Sequence, residues 1–185
     1  MASFQESEYA RDIIAFRCPR FGELPNIELY MDQVISLADK YLSVFADADS
    51  DKTITSTMVN NYVKQKVIAA PVNKKYAREQ VAYLLFICVV KQVLSISDIG
   101  RLLQIQRDTY TVERAYDYFC RELELALQAA FVTRDFSYSN TASHVTPETE
   151  LLRSTVMSFA HKIYVTKSLL YRQSLAEHPE EERQA

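Results

Sequence analysis

Only two glycines, Gly22 and Gly100, stand in this chain of 185 residues. No other feature narrows the fold as much. Tight strand-to-strand turns need residues that tolerate positive φ, and glycine supplies most of them. A barrel or sandwich would need many such turns, so the sequence predicts an all-α chain. Nor can G-x-G-x-x-G or G-x-x-x-x-G-K be written with these two glycines, which excludes the common phosphate-cradling loops. Hydrophobic residues make up 48% and charged residues 24%, an ordinary balance for a chain that buries a core.

Apolar spacing fills in the helices. Residues 1–23 read as a loosely structured arm. Ile27, Tyr30, Met31, Val34, Leu37, Ala38, Tyr41, Leu42 and Phe45 recur at three and four and predict a first amphipathic helix. "ADADSDK" reads as an acidic, solvated loop. A second helix is expected over about 55–66, with Thr55 as N-cap and Met58, Val59, Tyr62 and Val63 inward. Pro71 forbids helix through "VIAAPVNKKY", so at most one two-stranded hairpin is expected, near 67–76. A third helix follows over 78–94. A short fourth begins at Ser95, with Asp98 at capping-box spacing. Two long helices are expected over 109–131 and 148–176, separated by a polar loop of 16 residues. Pro147 suits the first position of the last helix.

Charge is partitioned unevenly. Residues 1–51 hold four cations against ten anions; residues 52–92 hold seven cations and only Glu79; the rest hold ten against thirteen. From Lys52 to Arg78 there is no carboxylate at all. Screening confines such a patch to about 8–10 Å, so it acts on a partner locally although the chain is acidic. A helix, a turn, a second helix with a polar outer face, a basic hairpin and a long apolar helix form the order of a winged helix-turn-helix. Thr57, Asn60, Asn61 and Lys64 share one face of the second helix. Asparagine can pair with adenine, and lysine with guanine or phosphate. Lys74 and Lys75 fall at the wing, where phosphate contact is expected.

The tract "TSTMVNNYVKQKVIAAPVNKKYAREQVAYLLFICVVKQVLSISDIGRLL" resembles the DNA-binding domain of the MerR family of bacterial regulators. The matching positions are Thr55, Asn61 with Tyr62, Pro71, Lys74 with Tyr76, and Ser95 with Ile99. With "LPNIELYMDQV" in front, the chain also resembles an uncharacterised bacterial family of unknown function with an LYMDQ-type start. The resemblance covers residues 24–106. It implies a helix-turn-helix domain with a minimal wing, a role in transcription regulation, and Tyr76 as a further DNA-binding residue, whereas by its type alone Tyr76 reads as core. Three departures stand out: Asn60 where an arginine is usual, Lys66 where glycine closes the helix, and Ala77 where serine caps the next one.

Residues 107–185 then form a C-terminal helical region for dimerisation or effector response. Helix-turn-helix binding usually recruits a second copy, so a homodimer is expected. A second apolar set on the last helix, Leu151, Tyr164, Val165, Leu169 and Tyr171, is available for its interface. Tyr116, Phe119, Phe159, Tyr164 and Tyr171 suit a core, that interface or an effector pocket; the effector itself is unknown. His144, His161 and His178 have no metal spacing, no catalytic constellation is legible, and neither enzyme activity nor a cofactor is expected. Cys18, Cys88 and Cys120 read as reduced, buried thiols of a cytoplasmic protein. No signal peptide is visible, and the longest apolar run, "VAYLLFICVV", is about half a membrane span. The alternative function is a protein–protein interaction module on a helix-turn-helix scaffold that has lost DNA binding.

Overall fold

The computed structural model describes residues 3–46 and 53–177. The acidic loop from residue 47, with Lys52, and the tail with His178 lie outside the described residues. The all-α expectation holds. Among the described residues seven α-helices appear, in the order α1 (Glu8–Ile14), α2 (Met31–Leu42), α3 (Ser56–Lys64), α4 (Arg78–Val90), α5 (Ile96–Thr109), α6 (Val112–Gln128) and α7 (Pro147–Glu177). Two strands of two residues each, β1 (Leu29–Tyr30) and β2 (Lys75–Tyr76), pair antiparallel, Leu29 opposite Tyr76 and Tyr30 opposite Lys75.

Helix α4 is the axis of the molecule. Every residue from Val81 to Val90 except Tyr83 is buried. A helix apolar on all sides is stable only when surrounded, and α2, α6 and α7 surround this one. Aromatic edges lock the layers: Phe86 meets Phe119 at 5.0 Å, and Phe45 meets Phe159 at 5.1 Å, both near perpendicular. The apolar core therefore runs without a break from α2, α3 and α4 into α6 and α7. No described helix is long and apolar enough to cross a membrane.

Three expectations need correction. Residues 3–23 are not a loose arm. Ala10, Ile13, Cys18 and Phe21 are buried, and the Phe4 ring lies 5.5 to 5.9 Å from Phe131, Tyr164 and Tyr171. Glu124 on α6 fastens the segment. Its carboxylate takes Arg20 in a two-pronged pair of 2.9 and 2.6 Å and accepts the Cys18 N–H at 2.9 Å. Helix α1 has seven residues, too few to persist alone, so its order comes from the surface beneath it. The first amphipathic helix also starts late. Ile27 and Tyr30 are exposed, because residues 29–30 pair with the strand after the hairpin, and α2 begins at Met31. Met58 points outward, 40% exposed, with its Sδ 3.7 Å from the Lys91 ammonium.

The second apolar set on α7 divides. Tyr164 and Tyr171 are covered by Phe4, and Tyr171 also meets Tyr9 at 6.2 Å. Leu151, Val165 and Leu169 remain exposed. Cys18, Cys88 and Cys120 are free and buried.

Candidate nucleic-acid interface

Helix α3 forms where a capping residue precedes a run with two inward apolar positions. Thr55 Oγ1 accepts the Met58 N–H at 3.3 Å, and Val59 and Tyr62 are buried. The remaining face is polar. Ser56, Thr57, Asn60, Asn61, Lys64 and Gln65 are all exposed, so the four predicted helix residues do share one solvent-facing side. Gln65 Nε2 donates to Asn61 Oδ1 at 3.0 Å, orienting that amide.

Three charged side chains from elsewhere hold the helix at both ends. Before it, Asp39 Oδ1 accepts the Thr53 N–H at 2.8 Å and Lys91 Nζ donates to the Thr53 carbonyl at 2.6 Å. After it, Arg107 Nη2 donates to the Val67 carbonyl at 2.5 Å. These residues are 14, 38 and 40 positions from their partners. No local spacing signals them, and none of the three was foreseen from the sequence. Lys91, which belongs by sequence to the basic patch, is half-buried, its ammonium taken up by the Thr53 carbonyl.

The helix ends in a Schellman motif. Lys66 N–H bonds the Val63 carbonyl at 3.0 Å and Val67 N–H bonds the Tyr62 carbonyl at 2.9 Å. Lys66 sits at the left-handed position, φ 59°, where glycine is usual. The hairpin beyond is a two-residue turn. Val72 and Lys75 exchange both backbone bonds, at 2.9 and 3.0 Å, around Asn73 (φ 49°) and Lys74 (φ 64°). Two consecutive left-handed residues make this a type I′ turn. The turn falls within the expected 67–76, but the paired strand of the sheet comes from residues 29–30 rather than from the hairpin's own first arm. Ala77 cannot cap α4; Gln80 Oε1 accepts its N–H at 2.8 Å instead, and Gln80 Nε2 reaches back to the Ala69 and Ala70 carbonyls.

The cations of the acid-free tract thus sort into two groups. Lys64, Lys66 and Lys74 are exposed and meet no partner among the described residues. Lys75 is half-buried with its ammonium 5.2 Å over the Tyr30 ring, and Arg78 lies 5.5 Å over Phe21. Tyr76 is corrected out of the interface: it is 1% exposed, its ring filling the core beside the strand pair, and no polyanion can touch it.

The sequence pattern of a family described as "Domain of unknown function (DUF1836)" matches residues 19–119, more than half of the chain. No curated protein and no solved structure matches the chain.

Proposed function

The chain belongs to the DUF1836 family, and from its own surface we propose that it is a DNA-binding regulator that works as a homodimer in the cytoplasm. One observation carries this reading: α3 exposes a continuous face of hydroxyl, amide and ammonium groups, free of carboxylates, while its two ends are fixed by charged clamps. A recognition helix needs such a face, because base edges are read by amides and cations and the phosphates repel carboxylates. Thr57, Asn60, Asn61 and Lys64 would meet base edges; Lys66 and Lys74 would meet phosphate. The second copy would pack on α7, where Leu151, Val165 and Leu169 lie along one exposed line.

The test is binding of the full chain to mixed genomic DNA fragments across a salt series. Log affinity should fall linearly with log salt, and each lysine in contact should account for about 0.9 of the slope. Replacing Lys64, Lys66 and Lys74 with glutamine should flatten it by about 1.8, the share of the two phosphate-facing lysines. Affinity that is undetectable at low salt, or a slope untouched by the three changes, defeats the reading.

A second reading has its own observation. Ile27, Tyr30 and Val72 are 50% exposed or more beside the hairpin, and Tyr30 and Val72 flank Lys75 on either side. An apolar rim of this kind suits a protein partner. Loss of partner capture on Tyr30→Ala with Val72→Ser, with DNA affinity absent from the start, would favour the interaction module.

A further inference from the structure

Away from α3, a cleft of about 480 Å³ opens between α4, α5, α6 and the loop leading into α7. Its inner wall is apolar and aromatic. Phe86, Leu103, Tyr116 and Phe119 line it, each less than a tenth exposed. Of the tyrosines and phenylalanines singled out in the sequence, Tyr116 and Phe119 reach the cleft, whereas Phe159, Tyr164 and Tyr171 pack elsewhere. The size falls within the range of small-molecule sites, which are mostly apolar with a few placed polar groups.

The outer wall carries the charge. Arg114 and Arg121 both line the cleft and both are exposed. They stand seven residues apart on α6, two turns or about 10 Å along one side. Arg114 lies 5.4 Å over the Tyr110 ring and donates to Ser143 Oγ at 2.6 Å, so it is held at the rim. Arg121 has no partner among the described residues. The one carboxylate lining the cleft, Glu148, is engaged by Thr146 beside it, which lowers its pKa. His144 is exposed at the same rim. An apolar interior bounded by two arginines is complementary to a molecule with an apolar body and an anionic head.

We propose that this cleft binds a small organic acid: a largely apolar, aromatic-bearing body seated on Phe86, Leu103 and Phe119, with one carboxylate or sulfonate toward Arg114 and Arg121. The site is joined to the helix-turn-helix. Tyr83 lines the cleft and donates its hydroxyl to Gln106 Oε1 at 3.0 Å. The Arg107 guanidinium lies 5.2 Å over that ring and holds the Val67 carbonyl at the end of α3. An occupant pressing on Tyr83 therefore presses on the clamp. Binding in the cleft does not depend on the DNA-binding reading, because no residue of the α3 face lines it.

The experiment is a fluorescence titration of the full chain with two probes that differ only in the head group, 8-anilinonaphthalene-1-sulfonate and neutral N-phenyl-1-naphthylamine. The expected result is saturable binding of one molecule per chain, with the sulfonate preferred about tenfold, the size of two partly screened ion pairs. Arg114→Ala with Arg121→Ala should erase that preference, bringing the sulfonate down to the affinity of the neutral probe. Ala115→Trp, which fills the cleft from α6, should abolish binding of both. Non-saturable binding, or two probes bound equally by the unaltered chain, overturns the proposal. So does a folded Ala115→Trp protein, checked by near-UV circular dichroism, that still binds both. Should Ala115→Trp fail to fold, the exposed arginine pair decides: an undiminished preference for the sulfonate refutes the assignment.

Discussion

Glu122 is completely buried on α6, and its surroundings show what that requires. Oε1 accepts the Thr141 N–H at 2.8 Å and the Thr141 hydroxyl at 2.6 Å. Oε2 faces Arg153 Nε across 3.8 Å, a charge contact too long for a hydrogen bond. Arg153 in turn donates to the Tyr138 carbonyl and lies 4.6 Å over the Tyr138 ring. One carboxylate thus ties α6, α7 and the loop between them. Removing one member of a buried pair leaves the other charged and unpaired, so Glu122→Ala should cost about 3–5 kcal/mol in urea unfolding. Glu122→Leu with Arg153→Met should recover part of that loss. A second residue-scale effect appears at alkaline pH. Burial pushes the Cys88 thiol up to about 12 and the Tyr62 hydroxyl up to about 12. The unfolded chain loses these protons earlier, near the ordinary thiol and phenol values. The folded state then holds more protons than the unfolded one, and stability declines as pH rises from about 9 through 12. The urea midpoint should fall across that window, and the fall should be smaller in Cys88→Ala.

At the scale of elements, α1 is the one whose importance is least proportional to its length. Ile13 is 1% exposed in a helix of seven residues. Ile13→Ala should cost about 2–5 kcal/mol, the range for emptying a packed aliphatic site. A loss below about 1 kcal/mol by thermal or urea melting would mean the segment is dispensable. Why α1 was not legible while α6 was follows from their lengths. Helix α6 repeats its apolar stripe over 17 residues, and α4 announces burial by being apolar throughout. Two inward residues in a seven-residue helix make no period. The Thr55 and Ser95 caps were readable because their partners sit three residues away. The clamps on α3 were not, since Asp39, Lys91 and Arg107 meet their carbonyl and amide only after the core has closed. The polar face of α3 could be read from spacing alone. Tyr76 reads as core by its type, and it is core; only its match to a wing motif beside lysines pointed to the surface.

For the whole molecule, the decisive property is how many copies assemble. Leu151, Val165 and Leu169 are 49–62% exposed on a helix of 31 residues, and a second chain is the proposed cover. Light scattering at micromolar protein should give twice the chain mass. Contacts along that line would be cut by Val165→Lys with Leu169→Lys, which should return the monomer mass with helical content intact; a monomer from the outset refutes the dimer. Gly22 and Gly100 both avoid positive φ, whereas Lys66, Asn73, Lys74 and Arg134 adopt it. Every left-handed position among the described residues is thus held by a cation or an amide, each at up to about 1 kcal/mol against glycine. An engineer ranking substitutions by stability alone would begin with glycine at Lys66 and Lys74. The product would be hardier and would have lost two of the three exposed cations on the face through which it is proposed to act. In this protein, thermostabilisation and ligand affinity would be traded at the same backbone positions.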